Sequence, residues 1–186
     1  MKTGVILARL QPIHKGHLAL IKKAVEENDE VYVFIGSADK FNQRNPLPIS
    51  LRIQLTNEAI RETFEEEVYK IKVFPLDDLT DESDNSHDWG FYLYSKIVTE
   101  CKNPCFTIYY SDGFEIITTW FPSFILRNNV SLCLLARNAT VSGISATKVR
   151  KLIEEDSNDL DVYVPKCVLN RRETIKKHIE LSKLIK

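Results

Sequence analysis

The sequence contains few of the features that mark membrane, secreted or nucleic-acid-binding proteins. No apolar run approaches the roughly 20 residues that cross a bilayer. A signal peptide needs an uninterrupted apolar core, but Arg9, Gln11 and His14 interrupt the apolar stretch near the N-terminus. The 25 Lys and Arg side chains are balanced by 26 Asp and Glu, for a net charge of −1 and no concentrated basic tail. We therefore expect a cytoplasmic protein with no membrane and no nucleic-acid partner.

Cysteine is also scarce and is not spaced for chemistry. The four cysteines are Cys101, Cys105, Cys133 and Cys167. They form no paired metal-ligand pattern, so buried free thiols are the favoured interpretation. We predict no metal site built from protein side chains.

The chain alternates between apolar strand-like runs and helical patterns. At 186 residues it fits one domain, residues 1–186, with a C-terminal part from about 146 to 186 that is largely helical. The alternation predicts a Rossmann-like, doubly wound α/β fold with a mainly parallel sheet and helices on both faces. The predicted strands are Gly4–Ala8, Glu30–Gly36, Tyr69–Phe74, Phe106–Tyr110 and Ser131–Ala136, and the helices include Ser50–Phe64 (with Ser50 as its cap), Trp89–Cys101, Ala146–Glu155 and Glu173–Lys186.

The most informative segment follows the first strand. It lies between an apolar run that predicts a buried strand and a segment whose apolar residues recur at helical spacing. It contains Arg9, a turn with a proline, and two histidines, His14 and His17, on either side of Gly16. A strand that turns into a helix N-terminus presents free N–H groups and the positive end of the helix dipole, which attract phosphate. The two histidines are one turn apart, so both rings can face one phosphate chain.

Arg9-Leu10-Gln11-Pro12-Ile13-His14-Lys15-Gly16-His17 resembles the H-x-G-H signature of the nucleotidylyltransferase superfamily. Within it, the segment is similar to archaeal-type nicotinamide mononucleotide adenylyltransferases, which typically read G-R-F-Q-P-F-H-x-G-H. Ala8 replaces the first glycine, and Leu10 and Ile13 replace the two phenylalanines. The phosphate-facing polar residues are all kept.

A second segment, Ile144-Ser145-Ala146-Thr147-Lys148-Val149-Arg150, precedes the late helix. Taken alone, the hydroxyls of Ser145 and Thr147 can be explained as caps of the helix N-terminus, without any role in binding. The segment also resembles the superfamily's I-S-x-T-x-x-R motif, at Ser145, Thr147 and Arg150. By that resemblance these residues hold the ATP triphosphate opposite the histidines, with Arg150 offering a planar fork to two oxygens.

Two further loops carry weaker signals for the acceptor. The family has a G-S-A strand exit, then N-P-F and an arginine on the next helix, which Ser37, Asn45 and Arg52 match, although Leu47 stands in place of phenylalanine. A tryptophan after the third strand stacks on nicotinamide in the family, and Trp89 is the candidate, with a place in the core as its alternative. Asp78 or its neighbour Asp77 is expected to contact the nucleotide.

The resemblance implies transfer of AMP from ATP to nicotinamide mononucleotide, giving NAD and pyrophosphate without a covalent enzyme intermediate. His17 would bind the α-phosphate, and the β- and γ-phosphates would be held by His14, Arg9, Ser145, Thr147 and Arg150. Mg²⁺ would be bound mainly through ATP phosphates. We also expect a homo-oligomer. Two alternatives remain: a transferase for another phosphorylated acceptor such as phosphopantetheine, and a catalytically silent nucleotide-sensing module.

Overall fold

In the computed structural model, which describes residues 1–111, 116–136 and 144–185, five strands form one parallel sheet. The strands are β1 (Thr3–Ala8), β2 (Glu30–Ile35), β3 (Ile71–Pro75), β4 (Phe106–Ser111) and β5 (Val130–Leu135). The strand order is β3-β2-β1-β4-β5, and every neighbouring pair runs parallel. The predicted Rossmann-like fold is confirmed.

Helices cover both faces of this sheet, as predicted. The helices of the described residues are α1 (Lys15–Glu27), α2 (Ile49–Thr63), α3 (His87–Cys101), α4 (Ile117–Trp120), α5 (Ser123–Asn128), α6 (Ala146–Glu154), α7 (Leu160–Tyr163), α8 (Lys166–Asn170) and α9 (Arg172–Ser182). One face packs against α1, α2, α6, α8 and α9, and the other against α3, α4 and α5.

Strand alternation divides the core between these two faces. In β2, Val31, Val33 and Ile35 point to the first face, whereas Tyr32 and Phe34 point to the second. All five side chains are buried, because a parallel sheet covered by helices exposes neither face. The strand order reverses between β1 and β4, and a ligand cleft is expected there, beyond the carboxyl ends of the strands.

Some local predictions are wrong. Helix α2 begins at Ile49 after Pro48, so Ser50 lies inside the helix and does not cap it. The predicted strand Tyr69–Phe74 begins only at Ile71, because Val68–Lys70 form a 3₁₀ turn and the strand is Ile71–Pro75. Tyrosine is common in strands, so residue type alone did not separate the turn from the strand. Helices α4 and α5 were not predicted, since each is too short to show a helical repeat. The cysteines were predicted to be buried free thiols, and Cys101 and Cys167 are buried, but Cys105 is exposed in the loop before β4.

Helix α3 packs unusually closely on α4. A Cβ placed on Gly90 would lie 2.0 Å from the carbonyl oxygen of Trp120, so only glycine permits this contact. The close approach places Trp89 against Trp120, which matters for the acceptor prediction below. Within the described residues, no helix is both long and apolar enough to cross a membrane.

Candidate functional site: a phosphate-binding cleft

Two histidines cap the first helix by bonding to each other's backbone. His14 is the N-cap of α1, and its Nδ1 accepts from the His17 N–H at 3.4 Å. The Nδ1 of His17 in turn accepts from the His14 N–H at 3.3 Å, and the rings stack with centroids 3.6 Å apart. This is a capping box built from imidazoles. It fixes both rings at the helix N-terminus, where the sequence predicted a phosphate site.

The same reciprocal bonds set the tautomers of the two rings. Each Nδ1 is an acceptor, so each neutral ring carries its proton on Nε2. Burial lowers the pKa of His17 well below its usual value, and the charge of neighbouring His14 lowers it further. At neutral pH His17 is therefore an uncharged imidazole with an Nε2–H available to donate to an anion.

The second motif lies against the first. Ser145 is the N-cap of α6, and its Oγ accepts from the Lys148 N–H at 3.1 Å, as its cap interpretation predicts. Arg150 donates to the carbonyl oxygen of Gln11 at 2.9 Å and to the Thr147 hydroxyl at 3.3 Å. Residues 139 positions apart are thereby joined.

A pocket of about 170 Å³ lies between the N-termini of α1 and α6. Its lining comprises His14, Gly16, His17, Leu20, Ser111, Leu135, Ile144, Ser145 and Ala146. Two helix N-termini with imidazole and hydroxyl donors converge on one space, an arrangement that suits phosphate oxygens.

Gly16 allows the two motifs to approach. A Cβ on this residue would lie 3.0 Å from Ile144 Cγ2 and 3.1 Å from the His14 ring. Any larger side chain would push either the ring or the second motif away. The glycine of the H-x-G-H pattern is thus explained by packing.

Arg52 holds the exits of β1 and β2. Its fully buried guanidinium donates to the carbonyl oxygens of Arg9 (3.0 Å), Gly36 (2.8 Å) and Ser37 (2.9 Å). Leu10 and Ser37 both adopt a left-handed φ of 49°, so these turns need external support. Burial, and then repulsion from Arg9, lowers the pKa of Arg52 to about 10. Its donors bind protein carbonyls, and direct contact with a mononucleotide stays a prediction.

The other acceptor residues lie on the β2–β3 side of the cleft. Ser37 donates to Asp78 Oδ1 at 3.1 Å, and Asn45 is fully buried, with its Oδ1 beside the Gln11 amide at 3.5 Å. Burial raises the pKa of Asp78. Asp77 is exposed, so of the two neighbours Asp78 is the one that lies among the predicted site residues.

Trp89 packs in the core of the second sheet face. It is 7% exposed, with its ring 5.8 Å from that of Trp120 and 5.7 Å from that of Tyr92. These contacts agree with the alternative prediction for Trp89, which is a place in the hydrophobic core. Stacking of Trp89 on a nicotinamide ring stays a prediction.

Glu82 was missed by the sequence reasoning. Its carboxylate accepts from Asn42 at 2.7 Å and lies 3.3 Å from Arg44 Nε and 3.7 Å from Arg9, which also donates to the Glu82 carbonyl at 3.3 Å. Glu82 lies in an acidic loop whose sequence is typical of solvent-exposed residues, and no local pattern distinguishes Glu82 from the other acidic residues there. Within the described residues, no group of three or more His, Cys, Asp or Glu side chains is placed to hold a metal ion.

The comparisons with known proteins agree with this geometry. The cytidylyltransferase-like family model matches residues 8–152, a range that contains both motifs. A nicotinamide-nucleotide adenylyltransferase of Sulfurisphaera tokodaii is 26% identical over 93% of this chain and 91% of its own. One from Methanolobus tindarius is 29% identical over 68% of this chain, and the match covers 65% of the relative's length.

Solved structures share the fold. A bifunctional NMN adenylyltransferase/ADP ribose pyrophosphatase from Francisella tularensis matches 96% of this chain and 50% of its own, with a TM-score of 0.72 and 18% identity. A putative nicotinate-nucleotide adenylyltransferase from Vibrio parahaemolyticus matches 95% and 97%, with a TM-score of 0.65 and 16% identity. The fold, the paired motifs and the family match over residues 8–152 lead to one conclusion: this chain belongs to the cytidylyltransferase-like family.

Proposed function

We propose that this chain transfers AMP from ATP to nicotinamide mononucleotide, giving NAD and pyrophosphate. The observation that carries the proposal is that the two motifs meet: Arg150 donates to the Gln11 carbonyl, and residues of each motif line one pocket. The names of the archaeal relatives favour nicotinamide mononucleotide over phosphopantetheine as the acceptor.

The reaction needs positioning and charge neutralisation, and no protein nucleophile. An oxygen of the acceptor's 5′-phosphate attacks the α-phosphorus of ATP, and the bond from that phosphorus to the bridging oxygen of pyrophosphate breaks. His17 donates its Nε2–H to the α-phosphate as a neutral imidazole, and the bond from the His14 N–H to its Nδ1 holds the ring in place. A donor that is already oriented stabilises developing charge without reorganisation.

The remaining donors hold the leaving pyrophosphate. His14, Ser145 and Thr147 lie at the two helix N-termini, and Arg150 projects from the first turns of α6 toward the first motif. Arg9 lies between this side of the cleft and the acceptor side, where Ser37, Asn45, Arg52, Trp89 and Asp78 are proposed to receive the mononucleotide.

The donor chemistry fits Mg²⁺ that arrives with ATP. Imidazole and hydroxyl groups line the pocket, and the Arg150 guanidinium binds the first motif at Gln11. These groups suit phosphate oxygens, and the described residues offer no carboxylate cage there. Mg²⁺ would supply charge neutralisation on the phosphates. We also propose a cytoplasmic location and a homo-oligomeric assembly, the latter testable by light scattering.

The test is pyrophosphate release with ATP and Mg²⁺ across a panel of nicotinamide mononucleotide, nicotinic acid mononucleotide, phosphopantetheine and no acceptor. We expect release that depends on a pyridine mononucleotide, with NAD or its acid analogue as the second product. Release with phosphopantetheine alone would reassign the acceptor. ATP binding without release for any acceptor would instead identify a nucleotide sensor.

A further inference from the structure

Arginine side chains are concentrated between the two sides of the cleft. Arg9 lies close enough to Arg44, Arg52 and Arg150 for their charges to interact unfavourably. Such a cluster is stable in a protein only with compensating anions. Glu82 is the carboxylate that contacts two of these guanidinium groups directly.

Glu82 reaches the cluster from a different loop. Arg9 follows β1, Arg44 follows β2 and Glu82 follows β3, so the carboxylate joins three strand exits at the carboxyl edge of the sheet. Its side chain is 14% exposed, whereas that of Arg44 is 59% exposed and that of Arg9 is 32% exposed. The cationic partners therefore remain open to a soluble anion while Glu82 itself is shielded.

The contacts of Glu82 are those of a replaceable partner. It meets Arg44 and Arg9 through one oxygen, at 3.3 and 3.7 Å, without the two parallel hydrogen bonds of a tight arginine–carboxylate pair. An ion pair whose cationic partners are partly exposed contributes little to stability. A phosphate monoester brings more charge and three acceptor oxygens, so it can compete for the same guanidinium groups.

We propose that Glu82 is a resident counter-ion that the acceptor's 5′-phosphate displaces from Arg9 and Arg44. This inference rests on the proposed function and adds a residue that sets acceptor affinity. Glu82 keeps the arginines paired and oriented when the site is empty. Its displacement costs every bound anion free energy, so weakly charged anions are excluded while a phosphate monoester, which has more charge to interact with the arginines, still binds.

The test compares Glu82→Gln with wild type by titration calorimetry, using inorganic phosphate and nicotinamide mononucleotide as probes in the absence of ATP. Glutamine keeps an oxygen for Asn42, and the bond from Arg9 to the backbone carbonyl is unaffected, while the charge is removed. We expect both probes to bind about two- to fivefold more tightly, the range expected for a partly exposed ion pair. Glu82→Asp, with a shorter reach, should give a smaller gain.

Glu65→Gln is the matched control, because it removes the same charge from an exposed position that forms no ion pair with any described residue. It should bind both probes as wild type does. In an Arg44→Gln background, Glu82→Gln should lose most of its gain. Unchanged or weaker binding by Glu82→Gln would overturn the proposal. Because these measurements need no turnover, they are independent of the acceptor panel that tests the reaction itself.

Discussion

The proposed triphosphate side of the cleft is held by bonds between side chains and backbone, whereas the proposed acceptor side depends more on contacts between side chains. His14 and His17 bond to each other's N–H groups, Ser145 caps its own helix and Arg150 binds a main-chain carbonyl. On the proposed acceptor side Arg52 also binds main-chain carbonyls. There, however, Ser37 bonds to the Asp78 carboxylate, and Glu82 accepts from Asn42 and forms ion pairs with Arg9 and Arg44.

Unpaired polar atoms show the same contrast. Asn45 Nδ2, Asp78 Oδ2 and Trp89 Nε1 are buried without a hydrogen-bond partner among the described residues. Native proteins pair most buried polar atoms, so unpaired ones near a cleft mark places where a ligand completes the bonding. The proposed phosphate donors are thus already oriented by protein contacts, and we expect the proposed acceptor side to gain hydrogen bonds when its substrate binds. Four substitutions test this comparison.

His17→Ala should have the largest effect, because it removes an oriented donor from the preformed side. We expect the turnover number to fall by about 10²–10³, the usual cost of losing one such donor. Steady-state pyrophosphate release measures this change, with circular dichroism as the control for folding. Near-normal turnover in a folded variant would remove His17 from the reaction.

Gly16→Ala should be damaging through packing alone. The new Cβ would meet Ile144 and the His14 ring at 3.0–3.1 Å, and overpacking of this kind costs about 1–3 kcal/mol. Because this strain displaces either the His14 ring or the second motif, we expect kcat/KM for ATP to fall by up to about a hundredfold.

Gly36→Ala is its matched control. A Cβ at Gly36 meets only Leu7 Cδ1, at an ordinary 3.5 Å, so activity should be nearly unchanged. Equal losses in both variants would mean that the approach of the two motifs at Gly16 is not what matters.

Arg150→Lys should weaken ATP binding by about tenfold although the charge is kept. Lysine is a point donor and cannot reach both the Gln11 carbonyl and a pair of phosphate oxygens. Calorimetric titration with a non-hydrolysable ATP analogue measures the change. Wild-type affinity would show that Arg150 only joins the two loops.

Trp89→Phe should have the smallest effect and tests the acceptor side. Phenylalanine preserves most of the packing against Tyr92 and Trp120. If the indole stacks on a cationic ring, KM for nicotinamide mononucleotide should rise about two- to fivefold while KM for ATP stays constant. Trp120→Phe, in the same core, should leave both constants unchanged. Parallel changes in the two variants would assign Trp89 to packing alone.

The fold was predictable from local pattern. Apolar β-branched runs such as the one around Val31 alternate with amphipathic helices, and that alternation permits little besides a parallel sheet covered on both faces. The place of the two motifs at helix N-termini was also predictable, because cap residues and apolar periodicity mark where a helix begins. Their binding of phosphate stays a prediction. Short helices such as α4 and α5 were not predictable, since they do not show a helical repeat.

The sequence by itself determined that His14, Gly16 and His17 lie together at one helix start, because they fall within a single turn. Only the tertiary structure decided how the distant parts meet: Arg150 on Gln11, Arg52 on the exits of two strands, and Glu82 on Arg9 and Arg44. These contacts join residues far apart in the chain, and their geometry depends on which strand ends lie side by side. Local periodicity contains no such information, so an arginine that clamps carbonyls and one that binds phosphate look alike until the sheet is formed.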